Sequence, residues 1–546
     1  MNEEIFNEQY TAALSVRDSI SVKTITAGIA ACTLFILSLL SLPSIVSGIT
    51  GLVFSIILFI VCLNEFSDGI VSIFRLQPSN DSLNSLAVVS AAIHSIYQIA
   101  DKTQSAPTIS WVIFVSVCCS MLMKLLYVNE IIINLNLIKK DKMFEVSTER
   151  INLAKRYVEQ VCMVNPVVNF PNVMDTSYDG DPSETKSKYF VPVAAGLALI
   201  ISVIMIFVGG IGTFTLTLAA MFSIAASFTS ESSFVLPYIT SQRRLRKLGS
   251  LLLGYHSIDA LKDIETLVVT DTELFPTKRV QIDKFKFKSK IYMTEAIEYT
   301  AALLIRSRSP LRKEFLKTVS CPAKRLPKVK EWRYMKNYGI SANIYDDEVL
   351  LGNRNLLLSY DITPLPQETE AAMVTKNKNI LYLAINGEIA AYILFTYNYD
   401  PAMKRAAENV GEDFNIIVET KDCSITETMV QKRYDLQTTK IIVPDADEVK
   451  LISDIRESIS NGNNLPVMIT TKNAIGILSS VKQAKNLMHI IDISILTKQA
   501  SVGFGMVLTA IALLLTPTYV TGIWLFLFNL IWTIPIVFLA LFGNKQ

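Results

Sequence analysis

The feature that most constrains this chain is a set of apolar runs too long for the core of a soluble domain. A helix rises about 1.5 Å per residue, so crossing a hydrocarbon layer ~30 Å thick takes roughly 20 mostly apolar residues. Runs at 24–43, 47–63, 109–127, 189–208 and 213–230 suit that requirement, and 501–541 is long enough for two spans turning at Pro517-Thr518. The stretch 84–100 carries several serines, His94 and Gln98, and by itself reads equally well as a span or as an amphipathic surface helix. Charge decides the matter. With eight spans and a cytoplasmic N-terminus, Lys102 is nearly the only positive charge outside. Lys139, Lys140, Lys142, Arg150, Lys155 and Arg156 then fall inside, with the basic segment from Arg243 to Lys498. That distribution obeys the positive-inside rule and seven spans would break it. Eight spans are therefore expected, in the plasma membrane, with both termini cytoplasmic and the lipid bilayer as the first partner.

Composition narrows the function classes. Of 546 residues, 51% are hydrophobic, and a net charge of +2 gives no footprint for nucleic acid. Cys32, Cys62, Cys118 and Cys119 lie in apolar runs, while Cys162, Cys321 and Cys423 stand alone. No CxxC pair occurs, so neither a zinc ribbon nor a disulfide framework is indicated. The start, MNEEIFNEQY, lacks the basic-then-apolar form of a cleavable signal peptide.

Two polar insertions interrupt the spans, at 129–188 and 239–498. In the larger, short β-branched runs recur at Thr266–Thr270, Asn415–Val418, Lys440–Val443 and Pro466–Ile469, each followed by a helical pattern such as Glu448–Ser460. Apolar strands alternating with helices predict a parallel sheet covered on both faces, with ligands beyond the strands' carboxyl ends. Those ends carry Asp271, then Glu419-Thr420-Lys421-Asp422, then Thr470-Thr471-Lys472. Between the first strand and the rest lies a block of different character, basic at its start (KFKFKSK) and strand-rich at its end. The expected order is four spans in 1–128, a polar region in 129–188 and two spans in 189–238. An α/β domain follows in two parts, 239–282 and 395–498, around an inserted domain at 283–394, and 499–546 closes with two spans. The 129–188 region reads as a helical extension, Ile133–Val161, and then a loop rich in Pro, Asn and Asp.

In order and spacing, several stretches resemble the heavy-metal (CPx-type) P-type ATPases. They are NDSLNSLAVVSAAIHSIYQ, SIAASFTSESSFVLP with Pro237, GYHSIDALKDIETLVVTD, DDEVLLGNRNLL and LYLAINGEIAAYILFTYNYDPAMKRAA. The resemblance implies a polytopic α-helical membrane protein with a cytoplasmic α/β HAD-like phosphorylation domain and an inserted α+β nucleotide-binding-like domain. It implies an aspartate that is phosphorylated and dephosphorylated while an actuator domain and the membrane helices move a cation.

The chemistry is missing motif by motif. Phosphoryl transfer is mostly positioning and charge neutralisation. The family's D-K-T-G-T resembles Asp271-Thr272-Glu273-Leu274-Phe275, which keeps the aspartate, loses the lysine and gains a carboxylate that should repel phosphate. Its T-G-D resembles Thr420-Lys421-Asp422, and its G-D-G-x-x-N-D resembles Thr470-Thr471-Lys472-Asn473, with no magnesium-binding aspartate. Its P-x-D-K resembles Pro444-Asp445-Ala446-Asp447-Glu448, which leaves Lys450 as the nearest cation and Asp445 or Asp447 as substitute metal ligands. Asp271 is expected to be a solvated relic at a strand end. On the nucleotide side, S-E-H-P-L resembles Ser307-Arg308-Ser309-Pro310-Leu311 and G-x-G resembles Asn337-Tyr338-Gly339, while Gly352 and Asn353 survive. No T-G-E is present in 129–188, which reads as a vestigial actuator region. ATP with magnesium is expected to bind weakly, and no cofactor or metal firmly.

In the membrane, the C-P-C triplet resembles Phe228-Thr229-Ser230, which leaves no sulfur for a soft cation. Glu231 follows, an ionisable residue that either lies on an ion path or snorkels to the cytoplasmic end, and Asn529 is its candidate partner. Cys118-Cys119 is read as small buried filler, because adjacent residues face different sides of a helix. The expectation is a pseudo-pump, a membrane scaffold or sensor whose lobe binds a protein partner or a nucleotide without turnover. The alternatives are a divergent cation pump phosphorylated on Asp271 and a passive conduit or subunit of a membrane complex.

Overall fold

The computed structural model describes the chain apart from residues 1–2, 41–42, 101–108, 141–143, 152–158, 167–172, 174–176, 178–180, 263, 289–292, 321–325, 375–376, 411–413, 437–438, 462–465, 472, 516–519 and 544–546. Lys102, Lys142, Lys155, Arg156, Cys321, Lys472, Pro517-Thr518 and most of the 165–184 loop lie outside the described residues.

Helices α1 (Glu3–Leu39), α2 (Ser44–Val61), α3 (Leu63–Phe74), α4 (Asn80–Ala100) and α5 (Ser110–Lys140) open the bundle. The hairpin β1 (Phe144–Ile151) and β2 (Glu159–Pro166) follows, then α6 (Pro182–Ala225) and α7 (Ser232–Lys247). Among the described residues, seven helices are long and apolar enough to cross a bilayer. One of them, α6, is two arms: Gly209 and Gly210 are non-helical, and Gly210 has φ +79 and ψ −164, which needs glycine. The Thr213 hydroxyl donates to the Met205 and Gly210 carbonyls, satisfying acceptors that the break releases. Counting both arms gives the eight expected crossings.

The lipid-facing surface explains the composition. Ile29, Ile36, Ile60, Phe207, Ile211 and Leu515 stand exposed on these helices, an arrangement suited to hydrocarbon and costly in water. In α4 the polar residues turn inward. His94 meets Thr215 through Nδ1 (3.1 Å) and Gln98 through Nε2 (3.1 Å), so this helix is packed as a span rather than as a surface helix.

The lobe starts with β3 (Ser250–Leu252), α8 (Tyr255–Lys262) and β4 (Thr266–Thr270). An insertion then carries β5 (Val280–Phe287), α9 (Met293–Arg306), α10 (Leu311–Thr318), β6 (Val329–Met335), β7 (Gly339–Ile344), β8 (Asp347–Gly352), β9 (Lys378–Ile385) and β10 (Glu388–Tyr397). It forms an antiparallel six-stranded sheet in the order β5-β10-β9-β8-β7-β6. The chain returns through α11 (Pro401–Val410), β11 (Asn415–Glu419), α12 (Glu427–Tyr434), β12 (Lys440–Ile442), α13 (Ala446–Asn461) and β13 (Met468–Thr470). Helices α14 (Asn473–Leu515) and α15 (Gly522–Phe542) re-enter the bundle.

The main sheet has seven strands in the order β12-β11-β4-β2-β1-β13-β3. It departs from the expected parallel sheet: β1 runs antiparallel to β2 and β13, and β3 antiparallel to β13. The helical extension expected over Ile133–Val161 is corrected too, because α5 stops at Lys140 and strands follow. Val146, Ile151, Val161 and Met163 are fully buried, so the hairpin gains more by joining the sheet than a surface helix would.

Contacts at the membrane border tie lobe and bundle together. Tyr127 of α5 stacks on Tyr255 of α8, with ring centroids 4.9 Å apart, and tilts against Tyr238 of α7. Arg246 of α7 reaches the buried Glu130 of α5 at 2.5 Å.

Candidate phosphoryl crevice and membrane polar cluster

Asp271 follows β4 and Thr420 follows β11, two parallel neighbours in register, so their side chains meet at the sheet's carboxyl edge. The Thr420 hydroxyl donates to Asp271 Oδ2 at 2.8 Å. Asp271 is buried rather than solvated, which corrects the expectation of a hydrated relic. Burial holds its carboxyl well above the ordinary carboxylate range, Asp422 and Glu419 add to the rise, and the Thr420 hydrogen bond only partly offsets it. Glu273 does not face the site as expected. It folds back so that the Thr270 backbone N–H (2.7 Å) and hydroxyl (2.8 Å) both donate to its carboxylate. Leu274 and Phe275 are core residues, with Phe275 stacked on Tyr397 at 4.9 Å.

Above Asp271 opens a crevice of about 390 Å³, lined in part by Thr272, Arg308, Arg312, Glu419, Lys421 and Arg456. Glu419 is paired with Arg456 at 2.8 Å. Lys450 is exposed and absent from the lining; Arg456, further along α13, brings a cation instead. Asp445 pairs with Lys336 at 3.4 Å and does not line the crevice. These residues do not suit the magnesium ion that the resemblance implies. Magnesium wants ionised oxygens, but Asp271 favours its neutral form, Glu419 is bound to Arg456, and the surrounding cations repel a divalent ion.

Asp422 joins the two domains of the lobe. Its Oδ2 accepts from Ser309 (2.8 Å) and Tyr397 (2.6 Å), and its Oδ1 from the Ser424 N–H (2.9 Å). This draws the 421–423 loop over Gly339, Leu304 and Leu351, leaving a void of only about 10 Å³. The other nucleotide-side residues have structural tasks. Gly339 (φ +148) and Gly352 face each other across β7 and β8, where a Cβ on Gly339 would lie 2.4 Å from the Leu351 carbonyl oxygen. Asn353 caps the following helix by accepting from the Asn355 and Leu356 N–H groups. Asn337, which stands where the resembling motif has its first glycine, takes the left-handed φ +61.

The hairpin divides the sheet. β2 pairs in parallel with β4, and β1 pairs with β13. The third motif, after β13, is thus three strand positions from Asp271, or ~14 Å at ~4.8 Å per step. Sequence reasoning missed the hairpin. Its signal was the alternation in FEVSTERI, obscured by the loop-like residues around it.

In the membrane, residues 226–231 interrupt the path between α6 and α7. Thr229, Ser230 and Glu231 are buried there, so Glu231 does not snorkel. Asn80, at the start of α4, gathers the cluster: its Oδ1 accepts from Lys498 Nζ (2.6 Å) and Ser187 (3.3 Å), and its Nδ2 donates to the Ser230 carbonyl (3.4 Å). Asp81 pairs with Lys124 at 2.6 Å, and Lys23 with Glu65 at 2.6 Å. Glu231 lies in the field of Lys124, Asp81, Asp181 and Lys498. Asn529 instead donates to Leu525 one turn back in its own helix, at 3.0 Å. Lys498 and Asn80 were not anticipated, although a lysine just before an apolar run was a readable signal. Among the described residues, no group of three or more His, Cys, Asp or Glu side chains is arranged to hold a metal.

No family model matches the chain. It is 21% identical over 263 residues to the copper-exporting P-type ATPase of Staphylococcus aureus strain JH9, and equally to that of strain N315. The match spans 46% of this chain and 32% of the relative, about a third of its length. Among solved structures, the chain is similar to a zinc-transporting PIB-type ATPase in its E2.Pi state, with TM-score 0.50 and 9% identity over 96% of this chain and 100% of that one. A second structure of a zinc-transporting PIB-type ATPase, in another state, gives TM-score 0.50 and 12% identity over 95% of this chain and 98% of that one. The fold is therefore that of the heavy-metal P-type ATPases: a polytopic helical bundle bearing a HAD-like α/β domain with an inserted α+β domain.

Proposed function

From the heavy-metal P-type ATPase fold, we propose that this chain is a pseudo-pump, a membrane scaffold or sensor that does not drive transport with ATP. The observation that carries the reading is the β1–β2 hairpin standing between the strand that ends in Asp271 and the strand that leads to the third motif. Phosphoryl transfer needs nucleophile, metal site and phosphate cradle within hydrogen-bonding reach of one another. A separation of ~14 Å, three steps of ~4.8 Å, keeps the third motif out of hydrogen-bonding reach of Asp271. Within the segment expected as a vestigial actuator, β1 and β2 are built into the sheet. The narrow space on the nucleotide side and the burial of the Asp271 carboxyl, which pushes its pKa up, support the same reading. The positive-inside distribution supports a plasma-membrane protein with cytoplasmic lobe and termini.

Radiolabel transfer from γ-labelled ATP and magnesium to the purified protein, with Asp271→Asn as control, tests this. No acid-stable label is expected in either. Asp271-dependent label would establish instead a divergent cation pump, the reading that draws on the Asp271–Thr420 hydrogen bond and on the discontinuous helix at Thr229–Glu231.

A further inference from the structure

Helices α4 and α6 meet along a seam of small and polar side chains. On α4 the seam is Asn80, Asn84, Ala87, Ala91, His94 and Gln98, spaced three or four residues apart on one face and none more than 3% exposed. On the second arm of α6 it is Thr215, Ala219 and Ser223, four residues apart and equally buried. Two contacts fix the register. His94 meets Thr215 on the side away from the lobe, and Asn80 meets the Ser230 carbonyl on the side nearest it. Nearly the same length of chain separates the two contacts on each side of the seam, so Asn84 and Ser223 fall between them.

Close packing accounts for the alanines. It does not account for Asn84 Oδ1, Ser223 Oγ and Ser230 Oγ, which are buried without a hydrogen-bond partner among the described residues. Asn84 is otherwise engaged, its Nδ2 donating to Ser120 of α5 at 3.2 Å. A buried polar atom left alone is costly, and buried water is what ordinarily satisfies it. The far end of the seam adds an ionisable ring: His94 Nδ1 lies 3.1 Å from Thr215 Oγ1, and its Nε2 3.1 Å from Gln98 Nε2. A titratable side chain inside a span marks function by default, and imidazole takes up and releases protons near neutral pH. The lobe end reaches water. Glu231 adjoins Ser230 there, and in the nearby pair Asp81 and Lys124 retain 21% and 25% exposure.

We propose that water held in this seam conducts protons passively across the bilayer, between His94 at one end and Glu231 with the Asp81–Lys124 pair at the other. Thr215 and Ser223 stand about 12 Å apart along the helix axis, at about 1.5 Å per residue, a gap that a few hydrogen-bonded waters bridge. One ring nitrogen of His94 takes a proton from water on the Gln98 side as the other releases its proton toward Thr215. Exchange of the two ring tautomers resets the site, so one proton crosses, no other bond changes and no co-reactant is consumed. The seam does not suit a metal ion. Its residues offer no thiolate or thioether, and Lys498 on Asn80 and Lys124 on Asp81 repel a cation that cannot be handed from bond to bond as a proton can.

The full chain in liposomes with an entrapped pH dye, driven by a valinomycin-set potassium potential and without ATP, tests the proposal. Proton uptake is expected to be several-fold faster than in protein-free liposomes. His94→Gln keeps hydrogen bonding but cannot titrate, so most of the flux should be lost. Ser223→Val replaces an orphaned hydroxyl by methyl groups, dries the seam and should likewise remove most of the flux. Wild-type uptake no faster than in protein-free liposomes, or full flux in either folded variant, would overturn the proposal. No ATP is present, so this result and the labelling of Asp271 are separate. Failure here leaves the pseudo-pump reading as it stands, and label on Asp271 leaves the proton route as it stands.

Discussion

The Asp271 carboxyl ends a strand, where an exposed acid would be hydrated and ionised. Beneath Thr420 it is buried, and burial favours the neutral form. The consequence for stability has a definite sign. The folded chain keeps a proton that the unfolded chain releases above the ordinary carboxylate range, so stability falls as pH rises toward the folded pKa. Asp271→Asn keeps a hydrogen-bond acceptor and removes this dependence. It is expected to raise stability by at least about 1 kcal/mol at pH 7.5, and by less at pH 5. Melting curves of both proteins across that range check it; a gain independent of pH would argue that the carboxyl titrates normally. Gly339 gives a second residue-scale expectation. A Cβ there meets the Leu351 carbonyl oxygen at 2.4 Å with φ at +148, so Gly339→Ala should destabilise the inserted domain by about 2 kcal/mol or more.

At the scale of elements, the hairpin is the departure with most consequence. β1 pairs along its length with β2, and together they bridge β4 and β13, so removing them would leave a gap in the middle of the sheet. Central strands exchange their amide protons only on large-scale opening. Amides in β1 and β2 are therefore expected to exchange as slowly as those of β4 and β11, and rapid exchange confined to the hairpin would show a detachable flap. Val161 is fully buried between β1 and β4, so Val161→Asp should cost at least ~3 kcal/mol, measurable as loss of cooperative unfolding of the lobe.

Over the whole molecule, the two domains of the lobe are clasped at Asp422, and the lobe is fixed to the bundle through Tyr127, Tyr255 and the Glu130–Arg246 pair. A pump must open and close such joints. Here a buried carboxylate holds donors from both sides of the interface, and losing one such bond costs about 1–2 kcal/mol. Tyr397→Phe keeps the ring stack and removes only the hydroxyl donor. It should increase proteolytic cleavage between the domains several-fold with little change in the membrane bundle. Equal cleavage in both proteins would mean that Asp422 does not restrain the domains.

The sequence by itself offered apolar runs for eight crossings, strands alternating with helices along the lobe, a block of different character between them, and a threonine where the family resemblance would place a lysine after Asp271. Each is a local property: span length follows from a run of apolar residues, strand and helix from a short period, a missing lysine from one position. Tertiary structure alone decided the pairing of β2 with β4, the burial of Asp271 and the clasp at Asp422. It also gathered Asn80, Ser187, Ser230 and Lys498 into one membrane cluster. Strand pairing and burial depend on residues hundreds of positions apart, such as Thr420 over Asp271 or Lys498 on Asn80, and no periodicity in the chain encodes which distant partner a strand edge or a buried charge will meet.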